Sequence, residues 1–297
     1  MALTDNITAW YRGFDNTDAT GSYDLILQND ASTDNAGDNK CGSYFTFPKE
    51  GPGGGSYLDV SSAGAIDINS DQGLTFSTWV YNITTSSDIG WLLRCNGFHV
   101  PFYILSSGNI AFIQNCFGAS TYDSGYDLRS NITPNTWHHL TMVISGRSWG
   151  PPVTPTAKYY LDGTLVATIT LHAGCNPFSA TGGPAGIGEI NNESTGGGYL
   201  KAFERLTDII FWNRALDIVE IQEISQKCLY DILNPPGPGP IINSDPWASD
   251  PLVASDRVFQ NITKASGQRS RRVGQIPLTL STKTNIARRR GSDSDFE

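Results

Sequence analysis

Short apolar segments of alternating character recur along most of the chain, cut apart by clusters of Gly, Asn, Asp and Pro. Alternation at period 2 is what an extended strand shows when one face meets a core and the other does not. The segments include "NITAWYRGF", "DLILQ", "SYFTF", "SYLDV", "LTFSTWVYN", "GWLLRC", "FHVPFYIL", "NIAFIQNC", "WHHLTMVIS", "AKYYLDG", "TLVATITL" and "LTDIIFWN". About a dozen short strands in roughly 230 residues predict a two-sheet antiparallel sandwich or jelly roll. Two hairpins stand out. Ser107-Gly108-Asn109 separates two apolar runs, and Asp162-Gly163 lies between two alternating strands. Asp-Gly favours a type I′ turn with both central residues at positive φ.

Composition agrees with an all-β body. Charged residues make up only 16% of the 297, while Gly (31) and Pro (16) are abundant. One helix is expected, in "NRALDIVEIQEISQKCLYDIL", where Ala215, Leu216, Val219, Ile221, Ile224, Cys228 and Ile232 recur at mostly three- and four-residue steps. "NPPGPGP" then stops it, because proline lacks the amide donor and Gly-Pro alternation suits neither helix nor sheet. The expected organisation is a body over 1–233, a hinge over 234–240 and an extended basic arm over 241–297.

Charge divides along the same boundary. Residues 235–297 hold nine Lys/Arg and six Asp/Glu, a net +3, which leaves −12 on the rest of a chain whose total is −9. Between Arg257 and Arg290 there are nine basic residues and no acid. The basic clusters are Arg269, Arg271, Arg272 and Arg288, Arg289, Arg290, and between them Ile276, Leu278 and Leu280 share one face of an extended segment. The clusters lack interleaved aromatics and belong to an acidic body, which disfavours nucleic acid. They suit an arm that pairs with a neighbour's sheet edge and is pinned by arginines on acidic surface.

The five cysteines, Cys41, Cys95, Cys116, Cys175 and Cys228, are scattered and form no C-x-x-C pair, so neither a zinc site nor a thioredoxin motif is expected. In a chain long enough to build a core they are expected as buried free thiols. "MALTDNITAW" has no basic n-region and no apolar h-region, so no signal peptide is read. No run reaches the roughly 18 apolar residues of a membrane span.

The order of landmarks, "ITAWYRGFDNTDATGSYDLIL", "SYFTFPKEGPGGGSYLDV", "LTFSTWVYN", "NTWHHLTMVIS", "KYYLDGTLVATI", "AGIGEI" and "LTDIIFWNRALDIVEI", resembles the laminin-G-like branch of the concanavalin A-like lectin/glucanase superfamily over about residues 5–230. The resemblance implies a jelly roll of two antiparallel sheets. It also implies glycan binding, adhesion or assembly more often than catalysis.

Four chemistries are open to such a chain. Glucanases of the superfamily are similar in a Glu-x-Asp-x-Glu strand, whose spacing puts nucleophile and acid on one face. The chain has no such triplet. His138 and His139 are adjacent, so in a strand their rings point to opposite faces and cannot share a metal; one ring is expected between the sheets and the other at the surface. The resemblance implies calcium at a loop rim, with Glu189, Asn191, Glu193 and Asp208 as the expected oxygen ligands. Solvated acidic loops are the plainer reading, and no other cofactor is called for. Glycan binding needs exposed aromatic faces, for which Trp149, flanked by Gly150-Pro151-Pro152, leads, followed by Trp91 and Tyr126 in turn-like contexts.

The expectation is therefore a concanavalin A-like all-β jelly roll with one short C-terminal helix and an extended arm. Its expected role is non-enzymatic: a virion structural protein such as a capsid-decoration, head-fibre or tail component, located on the virion. Its expected partners are other virion subunits, copies of itself or a capsid protein, met through the arm, with host glycans met through the jelly roll and no membrane. The alternatives are a glycan-binding adhesion module at a cell surface, or a glycoside hydrolase.

Overall fold

The computed structural model describes residues 2–35, 40–48, 56–60, 73–83, 90–95, 99–115, 119–145, 154–172, 186–188 and 203–235. The chain divides into two units, Met1–Pro235 and Pro236–Glu297, and every described residue belongs to the first. The predicted hinge from residue 236 and the whole arm lie outside the described residues.

The strands are β1 (Ile7–Tyr11), β2 (Ile26–Gln28), β3 (Ser32–Asp34), β4 (Tyr44–Thr46), β5 (Tyr57–Asp59), β6 (Leu74–Ile83), β7 (Gly90–Cys95), β8 (His99–Ile104), β9 (Asn109–Asn115), β10 (Ala119–Asp127), β11 (Trp137–Ser145), β12 (Thr156–Leu161), β13 (Thr164–Thr170), β14 (Gly186–Ile187) and β15 (Phe203–Trp212). Three short helices are α1 (Leu128–Asn131), α2 (Ile218–Ile224) and α3 (Leu229–Leu233). One sheet of eight strands runs β13-β12-β11-β6-β15-β4-β3 with β1 also on β15; the other, of seven, runs β10-β9-β8-β7-β14-β5-β2. This is the expected two-sheet antiparallel sandwich.

Alternation decides what each strand buries. On β6, Leu74, Phe76 and Val80 enter the core between the sheets. Phe45, Tyr159 and Phe211 join them from the same sheet and Phe102 and Phe112 face them from the other, all fully buried. The Tyr159 hydroxyl donates to the Pro101 carbonyl at 2.6 Å, which ties the two sheets through a buried hydrogen bond.

Strand β15 breaks strict alternation. Its register slips between Thr207 and Ile210, and Asp208 sits there with φ +50. The extra residue of this bulge returns Leu206, Ile209 and Phe211 to the inter-sheet core and turns Ile210 and Trp212 to the outer face. There they pack with Val143, Tyr160, Leu216, Ile221, Ile224 and Leu229, so α2 and α3 cover one end of the larger sheet.

The helical segment differs from the single helix expected. Asp217 starts α2 with a capping box, accepting from the N–H groups of Val219 and Glu220 while Glu220 accepts from the Asp217 N–H. Ser225 then ends α2 after seven residues, and Cys228 opens α3. Cys228 and Cys41 form a disulfide, 187 residues apart, which corrects the expectation of free thiols for this pair. Core size decides whether a fold needs a disulfide, not whether two cysteines meet. Of the other three, Cys116 and Cys175 lie outside the described residues, as does the side chain of Cys95.

Candidate functional site

His138 and His139 form a latch rather than a reactive centre. The Thr133 N–H donates to His138 Nε2 at 3.1 Å, which leaves Nδ1–H to donate to Asp162 Oδ2 at 2.7 Å. The His139 N–H donates to Asp162 Oδ1 at 2.8 Å. Asp162 and Gly163 both have positive φ, as the two-residue turn between β12 and β13 requires. The turn carboxylate thus staples the start of β11. Burial alone would raise the Asp162 pKa, but the bonds from His138 and His139 hold it below the ordinary carboxylate range.

Neither histidine is at the surface, which corrects that part of the expectation. His139 is 2% exposed. Its ring stands edge-on to Trp79, its β6 partner, with centroids 5.0 Å apart, and the Lys40 ammonium lies over that Trp79 ring at 4.3 Å. Burial first, and the Lys40 charge, push the His139 imidazole down to about 3, against an opposing pull from Asp162.

Asp208, an expected calcium ligand, is buried at 4% exposure. Its Oδ1 accepts from Trp10 Nε1 at 2.6 Å and its Oδ2 from the Leu229 N–H at 2.7 Å. Both oxygens are committed, so the carboxylate joins β15 to β1 and α3 instead of facing a loop rim. Burial raises its pKa to about 6. Cys41, Asp208 and Cys228 have ligating atoms within 4.8 Å of one another, but the two sulfurs are bonded together and supply no thiolate. Asp18, in the first loops, is likewise saturated, accepting from the N–H groups of Trp10, Thr20, Ser22 and Tyr23 and from the Thr20 hydroxyl.

Beside Asp208 the surface carries an aromatic cluster around one cation. The Arg12 guanidinium lies 4.3 Å from the ring centroid of Tyr230, 4.8 Å from Phe14 and 5.6 Å from Trp10. Phe14 is 45% exposed and Tyr230 46%. The Cys41–Cys228 bond fixes the first turn of α3, and Asp208 holds its Leu229 amide, so Tyr230 is positioned by two anchors. A second cation, Arg205, lies 4.8 Å from Tyr44 and 4.6 Å from Tyr81, with Trp137 beside both. Aromatic faces flanking a guanidinium can stack a sugar ring and bind its polar edge.

The other expected residues are scattered. Tyr126 is not in a turn but on edge strand β10, half-buried against the core, and burial raises its phenol pKa. Trp91 lies on β7 opposite Tyr103, its side chain outside the described residues. Trp149, Glu189, Asn191 and Glu193 also lie outside them, as do the arm residues Arg269, Arg271, Arg272, Ile276, Leu278, Leu280, Arg288, Arg289 and Arg290. Arg12 and Phe14 carry a local signal in the sequence, since Trp10, Arg12 and Phe14 recur at period 2 in "AWYRGF". Tyr230 has none.

The laminin-G-type model of the "Concanavalin A-like lectin/glucanases superfamily" matches residues 52–222, more than half of the chain. The chain belongs to this superfamily. No curated protein sequence matches it. Among solved structures, it is similar to the binding domain of Botulinum neurotoxin DC in complex with rat synaptotagmin II, with TM-score 0.53 and 16% identity over 76% of this chain and 52% of that one. The same toxin's binding domain in complex with SialylT gives TM-score 0.52 and 16% identity over 75% and 51%. The Botulinum neurotoxin type G receptor binding domain gives 0.50 and 13% over 75% and 51%. At such identities the likeness is one of fold, and the chain spans about half the length of these domains.

Proposed function

We propose that this chain is a non-enzymatic virion structural protein, a capsid-decoration, head-fibre or tail component, whose lectin-like jelly roll is displayed to bind host-surface glycans and whose C-terminal arm anchors it to other virion subunits. The observation that carries the binding half is the pair of exposed rings, Phe14 and Tyr230, clasping Arg12 on a lectin-type sandwich. Support for the non-enzymatic half comes from the sequence, which has no Glu-x-Asp-x-Glu triplet, and from structural relatives that are binding domains. The anchoring half rests on charge: nine basic residues without an acid between Arg257 and Arg290, on a chain whose remainder is acidic. Edge strand β13, "TLVATIT", carries no charge and no proline, the features that usually block strand addition.

Truncation after Asn234 tests the anchor. The shortened chain is expected to keep its fold and to be lost from purified particles; undiminished incorporation contradicts the arm. A second reading, a glycan-binding adhesion module at a cell surface, is favoured by one observation, the Cys41–Cys228 disulfide, since such bonds persist in oxidising surroundings. Recovery of the chain from cell envelopes and not from particles would select it.

A further inference from the structure

We infer that Arg12, clasped by Phe14 and Tyr230, is a subsite for a sugar that carries a carboxylate on its ring. The inference rests on the glycan-binding reading above and gives it a ligand class. A guanidinium presents five N–H donors in a planar fork that matches a carboxylate, and stacked rings cover its faces while leaving its edge to donate. Here the rings stand at 4.3 and 4.8 Å. Among the described residues, Arg12 makes ring contacts but no ion pair or side-chain hydrogen bond.

Neither of the two carboxylates that feel its charge is bonded to it. Asp15 Oδ1 accepts from the Thr17 N–H at 2.9 Å and from the Thr17 hydroxyl at 2.6 Å. Asp208 is buried and accepts from Trp10 and Leu229. The donors of Arg12 are thus held beside two rings and unspent, the condition under which a charge-assisted pair adds affinity instead of replacing an internal one. A bare anion would use only that edge. Phe14 and Tyr230 each keep nearly half of their surface in solvent, so the rings flanking the fork can stack the apolar face of a pyranose. Fork and flank together select a uronic or sialic type of sugar over a neutral sugar or a simple carboxylate. Arg205 offers no equivalent, because it makes further contacts within the protein.

Calorimetric titration of the full chain with sodium glucuronate, glucose and sodium acetate at low salt tests this. Glucuronate is expected to bind about tenfold or more tighter than either comparator, from one charge-assisted pair plus ring stacking. Arg12→Lys keeps the charge but loses the fork, and is expected to cost about tenfold for glucuronate and nothing for glucose. Phe14→Leu is expected to weaken glucuronate severalfold without changing acetate. It carries the same test if Arg12→Lys melts early by circular dichroism. Equal binding of glucuronate and glucose, equal binding of glucuronate and acetate, or an Arg12→Lys protein as tight as wild type would each overturn the subsite. Neutral glycans bound without an acidic preference would overturn the subsite alone. No saccharide bound at all would overturn the glycan reading with it.

Discussion

His139 and Asp208 are buried ionisable groups that titrate in opposite senses. His139 is held at about 3 by burial, well below an unfolded imidazole near 6.5. Between those values the unfolded chain takes up a proton that the native ring refuses, so stability falls as pH drops, by about 1.4 kcal/mol per pH unit. Asp208 is raised to about 6 by burial. Between about 6 and its unfolded value near 3.8 the native state holds the extra proton, so stability rises as pH drops. The two slopes oppose each other from about pH 6 to 4. A His139→Leu variant removes one of them. Urea midpoints measured from pH 7 to 4 are expected to show wild type losing ground to the variant steadily below about pH 6.5. Parallel curves would mean that the native ring takes a proton as freely as the unfolded one. Two adjacent histidines in the sequence invite a metal or an acid–base site. The structure spends one on the Asp162 turn and seals the other beneath Trp79.

At the scale of elements, the long strands were legible because they alternate. β6, β11, β12 and β13 each place apolar residues on the core face at period 2, and β15 places them there too although its bulge shifts the alternation. β10, "ASTYDSGYD", was not expected because it is an edge strand with few apolar residues and little to alternate. The break between α2 and α3 was hidden for another reason. Cys228 occupies an apolar position of the helical repeat, so the pattern runs on through a gap held open by a disulfide and by Asp208 on the Leu229 amide. No local signal marks a partner 187 residues away. Arg214 shows the same limit. It is buried, donates to the carbonyls of Ala2 and Asp5, and makes a bidentate pair with Glu220 at 2.7 Å. Reduction of Cys41–Cys228, or Cys228→Ser, is expected to cost about 3–5 kcal/mol of stability, since a long loop is released in the unfolded chain. It should also loosen Tyr230 and weaken glucuronate binding severalfold. Binding and melting that ignore dithiothreitol would show that α3 is held without the bond.

For the whole molecule, fold and partition of charge were open to sequence reasoning, and the candidate binding surface was not. Fold follows from repetition, which many residues report together. A site built from Arg12, Phe14 and Tyr230 joins residues more than two hundred positions apart, and only the packing of α3 against β1 brings them together. The molecule that results is an acidic lectin-type sandwich with a clasped cation on its surface, followed in sequence by a basic segment. The central claim is that this body binds saccharide and leaves it intact. Its most direct test is a titration of the full chain against acidic and neutral oligosaccharides, with reducing ends assayed in the same samples. Saturable binding with no new reducing ends, and with the acidic preference lost in Arg12→Lys, is the predicted result. Release of reducing ends, or no saturable binding to any saccharide, would contradict it.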